Sequence, residues 1–262
     1  MYFDLVHPSN KSFIQQRTFL LSLVVQVVVL IFSVVSFVLK DPPRVLRIVL
    51  LLETVVQGVE FLWYAMIGIY YYVKKSKTNS YQSKLRYYDW AITTPTMLIS
   101  LFLLIFWYND ECGSVDAMTN SPAFALCIVS IVICDWAMLC VGFNANVSQS
   151  TESNTSSSHR TYMMLGFLFL VLAFFPHFHT LSVRFSETAL VLIVFTLVTW
   201  CFYGLVEWWI VSTGGDNDSM ENKKNSCYNI LDVVSKNITG LIVAFAAFYY
   251  DGDKCSSIAT SS

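Results

Sequence analysis

CYNILDVVSKNITGLIVAFAAFYY, residues 227–250, is an apolar run with a lysine, Lys236, in its middle and an aspartate, Asp232, four residues before it. A charge at bilayer depth costs at least ~2.5 kcal/mol even on lenient insertion scales, so such a residue is normally there to do something. The four-residue offset places both groups on one helix face. An amine held beside a carboxylate suits three tasks: a proton relay, an ion site, or the anchor of a carbonyl compound through a Schiff base.

The rest of the chain is built like this segment. Its 262 residues are 55% hydrophobic, 16% aromatic and only 13% charged, against about 25% charged in soluble domains, and the mean hydropathy is +0.56. Apolar stretches long enough to cross about 30 Å of hydrocarbon fall near 13–39, 45–73, 86–108, 121–143, 161–181, 186–212 and 226–250. They predict an all-α membrane protein, a bundle of seven transmembrane helices over 13–250 with no soluble domain. The net charge of −2 carries no nucleic-acid signal. Of the seven cysteines, Cys127, Cys134, Cys140 and Cys201 lie inside helices as small apolar filler, and Cys112, Cys227 and Cys255 have no metal-ligand spacing. The polar start, 1–12, precedes a run too long for a signal peptide, so the first helix is expected to stay in the mature protein.

Two signals for orientation oppose each other. With 1–12 outside and the tail 251–262 inside, four glycosylation patterns, at Asn10, Asn146, Asn154 and Asn217, fall on the outer face. The basic residues Lys74, Lys75, Lys77, Lys84, Lys223 and Lys224 fall there too, against Lys40, Arg44, Arg47, Arg184 and Lys254 inside, contrary to the positive-inside tendency.

On the third helix Arg86, Asp89, Trp90 and Thr93 share a face by their three- and four-residue offsets. A buried carboxylate and guanidinium need partners, and Lys236 needs a counter-ion. Asp89 and Asp232 flanking Lys236, with Arg86 one turn nearer the surface, would set two negative charges against two positive ones. A purely structural ion-pair network is the alternative.

Arg86-x-x-Asp89-Trp90-x-x-Thr93-Thr94-Pro95 on the third of seven helices, with Asp232-x-x-x-Lys236 on the seventh, resembles the microbial rhodopsins over all seven spans. The resemblance implies a retinal pocket in the middle of the bundle, all-trans retinal held on Lys236 as a protonated Schiff base, and no enzymatic activity. It implies Asp89 and Asp232 as counter-ions, with Arg86 beside them and the Tyr64 and Tyr203 hydroxyls on Asp232. Trp90 and Trp200 match the indoles that sandwich the polyene, and Thr94, Met97, Met138 and Gly142 match pocket-lining positions. Two positions depart from the family pattern: Gly204 stands where proline is usual, and Glu207 where a pocket aromatic is common.

An outward pump needs an acceptor, which Asp89 supplies with Thr93 as the hydroxyl expected to bond it. It also needs an inner donor, and Ser100 stands where many pumps place a carboxylate. Helix two points elsewhere. Glu53, Gln57, Glu60 and Tyr64 fall at offsets of zero, four, seven and eleven, one continuous face about 16 Å long. Such a stripe cannot face lipid and would lower the barrier for a cation and its waters; a protonated carboxyl in a packing seam is the bland alternative.

With this stripe the sequence is most similar to the cation channelrhodopsins, including the channel-forming rhodopsins of large viruses. That resemblance implies a central gate of Glu60 and Asn237, an inner gate at Glu53, a helix-one gate member among Ser22 and Gln26, with Ser33 less favoured, and a lifetime gate of Thr94 and Asp135. The expectation is a light-gated channel for monovalent cations and protons, a homo-oligomer in the bilayer of the plasma membrane. The alternatives are an outward proton pump and a sensory photoreceptor.

Overall fold

The computed structural model describes residues 10–74, 79–109, 121–148, 156–183, 186–213 and 218–250. Seven helices run through them: α1 (Asn10–Leu39), α2 (Arg44–Lys74), α3 (Asn79–Asn109), α4 (Pro122–Ser148), α5 (Ser156–Val183), α6 (Glu187–Ser212) and α7. The last is composite, with an α-helical N-terminal half (Asp218–Asp232), a π turn (Val233–Asn237) and an α-helical C-terminal half (Ile238–Phe248). The π turn is closed by the Ile238 N–H donating to the Val233 carbonyl, five residues back. No strand occurs among the described residues. The expected tail 251–262, most of segment 1–12, and the sequons at Asn154 and Asn217 lie outside them, as do the side chains of Asn10 and Asn146.

Six of the helices are long and apolar enough to cross a membrane by length and composition, and α2 is the seventh member of the bundle. Polarity is arranged opposite to that of a water-soluble bundle. Ile14, Leu20, Leu21, Val24, Val28 and Ile31 of α1 are exposed, whereas Glu53, Gln57, Glu60, Arg86, Asp89, Asp135 and Lys236 are buried. In hydrocarbon an apolar outer face costs nothing, and each charge must turn inward to a partner.

Consecutive helices pack as neighbours, and α7 closes the bundle against α1 and α2. The most enclosed element is α3, whose residues 101–107 are all buried and which also meets α5, α6 and α7. Pro95 interrupts α3; lacking an N–H, it leaves the Ala91 carbonyl without its helical donor. The Trp136 indole of α4 supplies one, donating to Ala91 O at 2.9 Å. One residue earlier on α4, Asp135 accepts from Thr94 Oγ1 at 2.7 Å, so α4 holds the turn before the proline at two points.

The spans run longer than hydropathy alone predicts, chiefly at α7, which begins at Asp218 rather than near 226. Its first two turns are polar, so a hydrophobic window misses them, yet Lys224 and Asn225 there are fully buried by packing. Lys224 is therefore not an outer loop charge: Glu207 of α6 lies 2.9 Å from its Nζ. That pairing weakens one of the charges counted against the orientation.

Candidate functional site

Lys236 points into the centre of the bundle from the π turn, and three carboxylates surround its Nζ: Asp89 Oδ2 at 2.8 Å, Glu60 Oε1 at 3.4 Å and Asp232 Oδ1 at 3.7 Å. Only two of these acids match the expected counter-ions. Glu60, read from the sequence as half of a gate, belongs to the same charge cluster. Its expected partner Asn237 is buried, and neither its amide nor the Glu60 carboxylate has a hydrogen-bond partner among the described residues. The Glu60–Asn237 contact is therefore not formed. Glu60 lies instead 3.4 Å from the Lys236 amine.

The two aspartates are held differently. Asp232 accepts from Tyr64 at 2.7 Å, from Tyr203 at 2.8 Å and from Arg86 Nη1 at 2.5 Å. Arg86 also donates to the Tyr64 hydroxyl at 3.1 Å and to the Asn229 amide oxygen. Asp89 has Lys236 as its one donor, and its Oδ1 has none among the described residues. Thr93, expected on the Asp89 carboxylate, donates instead to the Asp89 main-chain carbonyl at 3.0 Å. In a helix that i−4 carbonyl is always within a threonine's reach. Asp232 is thus clamped by three donors, while Asp89 remains the acceptor closest to Nζ.

Beyond the amine lies a mostly apolar slot between α3, α4, α5, α6 and α7. All seven expected lining residues are there: Trp90, Thr94, Met97, Met138, Gly142, Trp200 and Tyr203. The structure adds Tyr87, Gly166, Phe167, Leu170, Glu207 and Tyr228, among others. Gly204 sits against Phe167, where a Cβ would come within 2.8 Å of the ring; at this departure from proline, close packing of α6 on α5 requires the missing side chain.

A second polar tract runs along α1, α2 and α7. Ser22 Oγ donates to the Asn229 carbonyl at 2.7 Å, so the helix-one candidate touches α7 rather than Glu60. Gln26, Ser33 and Ser36 are buried with no side-chain partner among the described residues. Gln57 Nε2 donates to the main-chain carbonyl of Lys236 at 3.0 Å, and Glu53 accepts from Ser100. Sequence reasoning overlooked Asn229 and Gly240. The first lies on the Asp232–Lys236 face, three residues before Asp232, and that spacing could have flagged it. The second leaves room for the Gln57 amide, 2.7 Å from where a Cβ would be, and no local pattern announces it.

The family profile described as "bacteriorhodopsin-like protein" matches residues 14–249. The chain belongs to the bacteriorhodopsin-like family. No curated protein sequence matches this rhodopsin. Among solved structures, it is similar to the viral rhodopsin OLPVRII, with a TM-score of 0.69 and 22% identity over 91% of this chain and 100% of that one. It is also similar to the blue light-absorbing proteorhodopsin from Med12, with a TM-score of 0.64 and 21% identity over 90% and 96% of the two chains. Bromide-bound halorhodopsin from Halobacterium salinarum matches at a TM-score of 0.66 and 16% identity over 92% and 96%. At these identities the likeness is one of fold.

Membership implies a retinal chromophore, and the residues present suit it. The slot is mostly apolar, Trp90 and Trp200 contribute to its walls, and the buried Lys236 lines it. Its positive charge is already matched by acids from α2, α3 and α7.

Proposed function

We propose that this rhodopsin is a light-gated channel that passes monovalent cations and protons down their gradients. The observation that carries the reading is the tract of buried polar groups on α1, α2 and α7: Gln26, Ser33, Glu53 Oε2, Gln57 Oε1 and Asn237 lack a hydrogen-bond partner among the described residues, and Glu60 has only its ion pair with Lys236. Buried polar atoms left unpaired are costly unless water serves them. A file of water lined by acids is a route for cations rather than anions.

All-trans retinal joined to the Lys236 nitrogen supplies light absorption and the change of shape. The chain's residues do the rest. Asp89 Oδ2, 2.8 Å from Nζ and not otherwise bonded, takes the proton when Nζ gives one up, while Asp232 keeps its three donors. Loss of that charge frees Glu60 from Nζ, and Glu60 can then turn toward Asn237 or toward the water file. The gate is thus a competition between Lys236 and the tract for one carboxylate, biased by the charge on the amine. Thr94 and Asp135 brace α3 on α4 beside the slot and would set how quickly the closed arrangement returns. We place residues 1–12 outside and 251–262 inside, in the plasma membrane, as a homo-oligomer.

Light-driven current against voltage in a clamped cell tests this. A channel's current reverses sign at the cation equilibrium potential, and a current that stays outward at every voltage refutes the reading. An outward proton pump is the second reading, favoured by one observation: Glu53, bonded to Ser100, puts a carboxylate close to the Ser100 position where a donor is expected.

A further inference from the structure

Glu207 is a carboxylate in the wall of a largely apolar slot, and its supports are well defined. Lys224 Nζ donates to Oε1 at 3.0 Å, and Tyr228 donates its hydroxyl to Oε2 at 2.7 Å. Lys224 is fully buried and Glu207 is 4% exposed. Glu207 and Tyr228 line the slot and Lys224 does not, so the pair turns its negative end toward the cavity. Glu221 lies 4.0 Å from the same amine. An apolar residue would pack here without the cost of desolvating two ions, so the charge itself calls for a use. Glu207 is not among the acids within 4.0 Å of Lys236 Nζ, which are Asp89, Glu60 and Asp232. It sits one turn beyond Tyr203, on the stretch of α6 where Gly204 abuts Phe167 of α5. The slot therefore holds negative charge in two places, around the amine and away from it.

We propose that Glu207, fixed by Lys224 and Tyr228, is a colour-determining residue that moves the absorption of the bound chromophore to longer wavelength. A conjugated cation attached at Lys236 shifts positive charge away from its nitrogen on excitation. Acids at the nitrogen favour the ground state and raise the transition energy. An acid farther along the slot favours the excited state and lowers it, and in a medium of low dielectric the effect persists over several ångströms. The proposal rests on retinal occupying the slot and not on the channel reading, so no photocurrent enters its test.

The test is the visible absorption maximum of the full-length protein reconstituted with all-trans retinal, for the wild type, Glu207→Gln, the double variant Glu207→Gln/Lys224→Met, and Asp89→Asn. The two variants lacking the Glu207 charge should absorb at shorter wavelength than the wild type, and Asp89→Asn, which removes an acid at the nitrogen, at longer wavelength. An unmoved band, or a shift to longer wavelength in both Glu207 variants, overturns the proposal by itself. A wild-type protein that develops no visible band overturns it together with the chromophore assignment. The retinal-free protein gives an independent reading: Lys224→Met alone, which strands a buried carboxylate, should melt below the double variant. Equal melting would overturn the pairing on which the proposal stands.

Discussion

Gly240→Ala should cost this protein stability through a residue on another helix. A Cβ at position 240 would lie 2.7 Å from Gln57 Nε2, 3.3 Å from Gln57 Cδ and 3.4 Å from Val29 Cγ1. The first distance cannot be tolerated, so the amide has to move, and with it goes the 3.0 Å hydrogen bond to the Lys236 carbonyl. Stranding a buried polar group costs about 1–3 kcal/mol. Overpacking alone would cost about the same, but the two do not add, because moving the amide relieves the overlap. Alanine in a helix interior returns about 0.5–1 kcal/mol relative to glycine, so the net loss is up to about 2.5 kcal/mol, or as much as about 10 °C in melting temperature for a chain of this size. Gln57→Ala removes the same hydrogen bond and vacates the space that the new methyl needs. The double variant should therefore be no less stable than Gln57→Ala, giving a coupling of about 1–3 kcal/mol, as contacting residues show. Thermal unfolding of the four purified proteins, followed by circular dichroism, closes the cycle. Additive effects of the two substitutions would refute the latch between α2 and α7.

Other outcomes follow from the same geometry. Thr94→Val leaves Asp135 with neither oxygen bonded among the described residues, so it should melt lower by about 1–3 kcal/mol, whereas Thr94→Ser should hold; equal melting of the two variants would dismiss the brace. Asp232→Asn takes the charge from a carboxylate serving Arg86, Tyr64 and Tyr203 and should cost about 3–5 kcal/mol, the usual loss when one member of a buried pair goes. Asp89→Asn leaves Lys236 two acids within 4.0 Å and should cost less, which melting of the retinal-free proteins would check; the reverse order would contradict the clamp on Asp232. Trp136→Phe removes the donor to the Ala91 carbonyl opposite Pro95 and should cost about 1 kcal/mol, with an unchanged melting temperature showing that the bond carries no weight.

The seven spans were legible because apolar length is a strong signal, and the amine with its flanking aspartates because an intramembrane charge admits few explanations. The pocket lining was legible only through the resemblance to the microbial rhodopsins, which carried Trp90, Thr94, Met97, Met138, Gly142 and Trp200 onto the slot. Two kinds of feature escaped. The choice of partner at close range depends on ångström distances that spacing does not contain, which is why Glu60 faces Lys236 rather than Asn237 and Thr93 its own backbone. Polar helix ends carry no hydropathy signature, so the buried Lys224–Glu207 pair looked like a loop charge beside an odd pocket residue.

The wide turn at Val233–Asn237 spends one residue more than a regular helix needs for the same rise. Rewinding it would slide the segment Ile238–Phe248 by about 1.5 Å along its axis and swivel it by about 100°. The N-terminal half, moored through Asn229 and Asp232 to α1, α2 and α3, would stay where it is. The chain thus keeps slack beside its buried lysine, and a disturbance there can be delivered to the far end of the helix as a screw motion, with Asn237 on the thread.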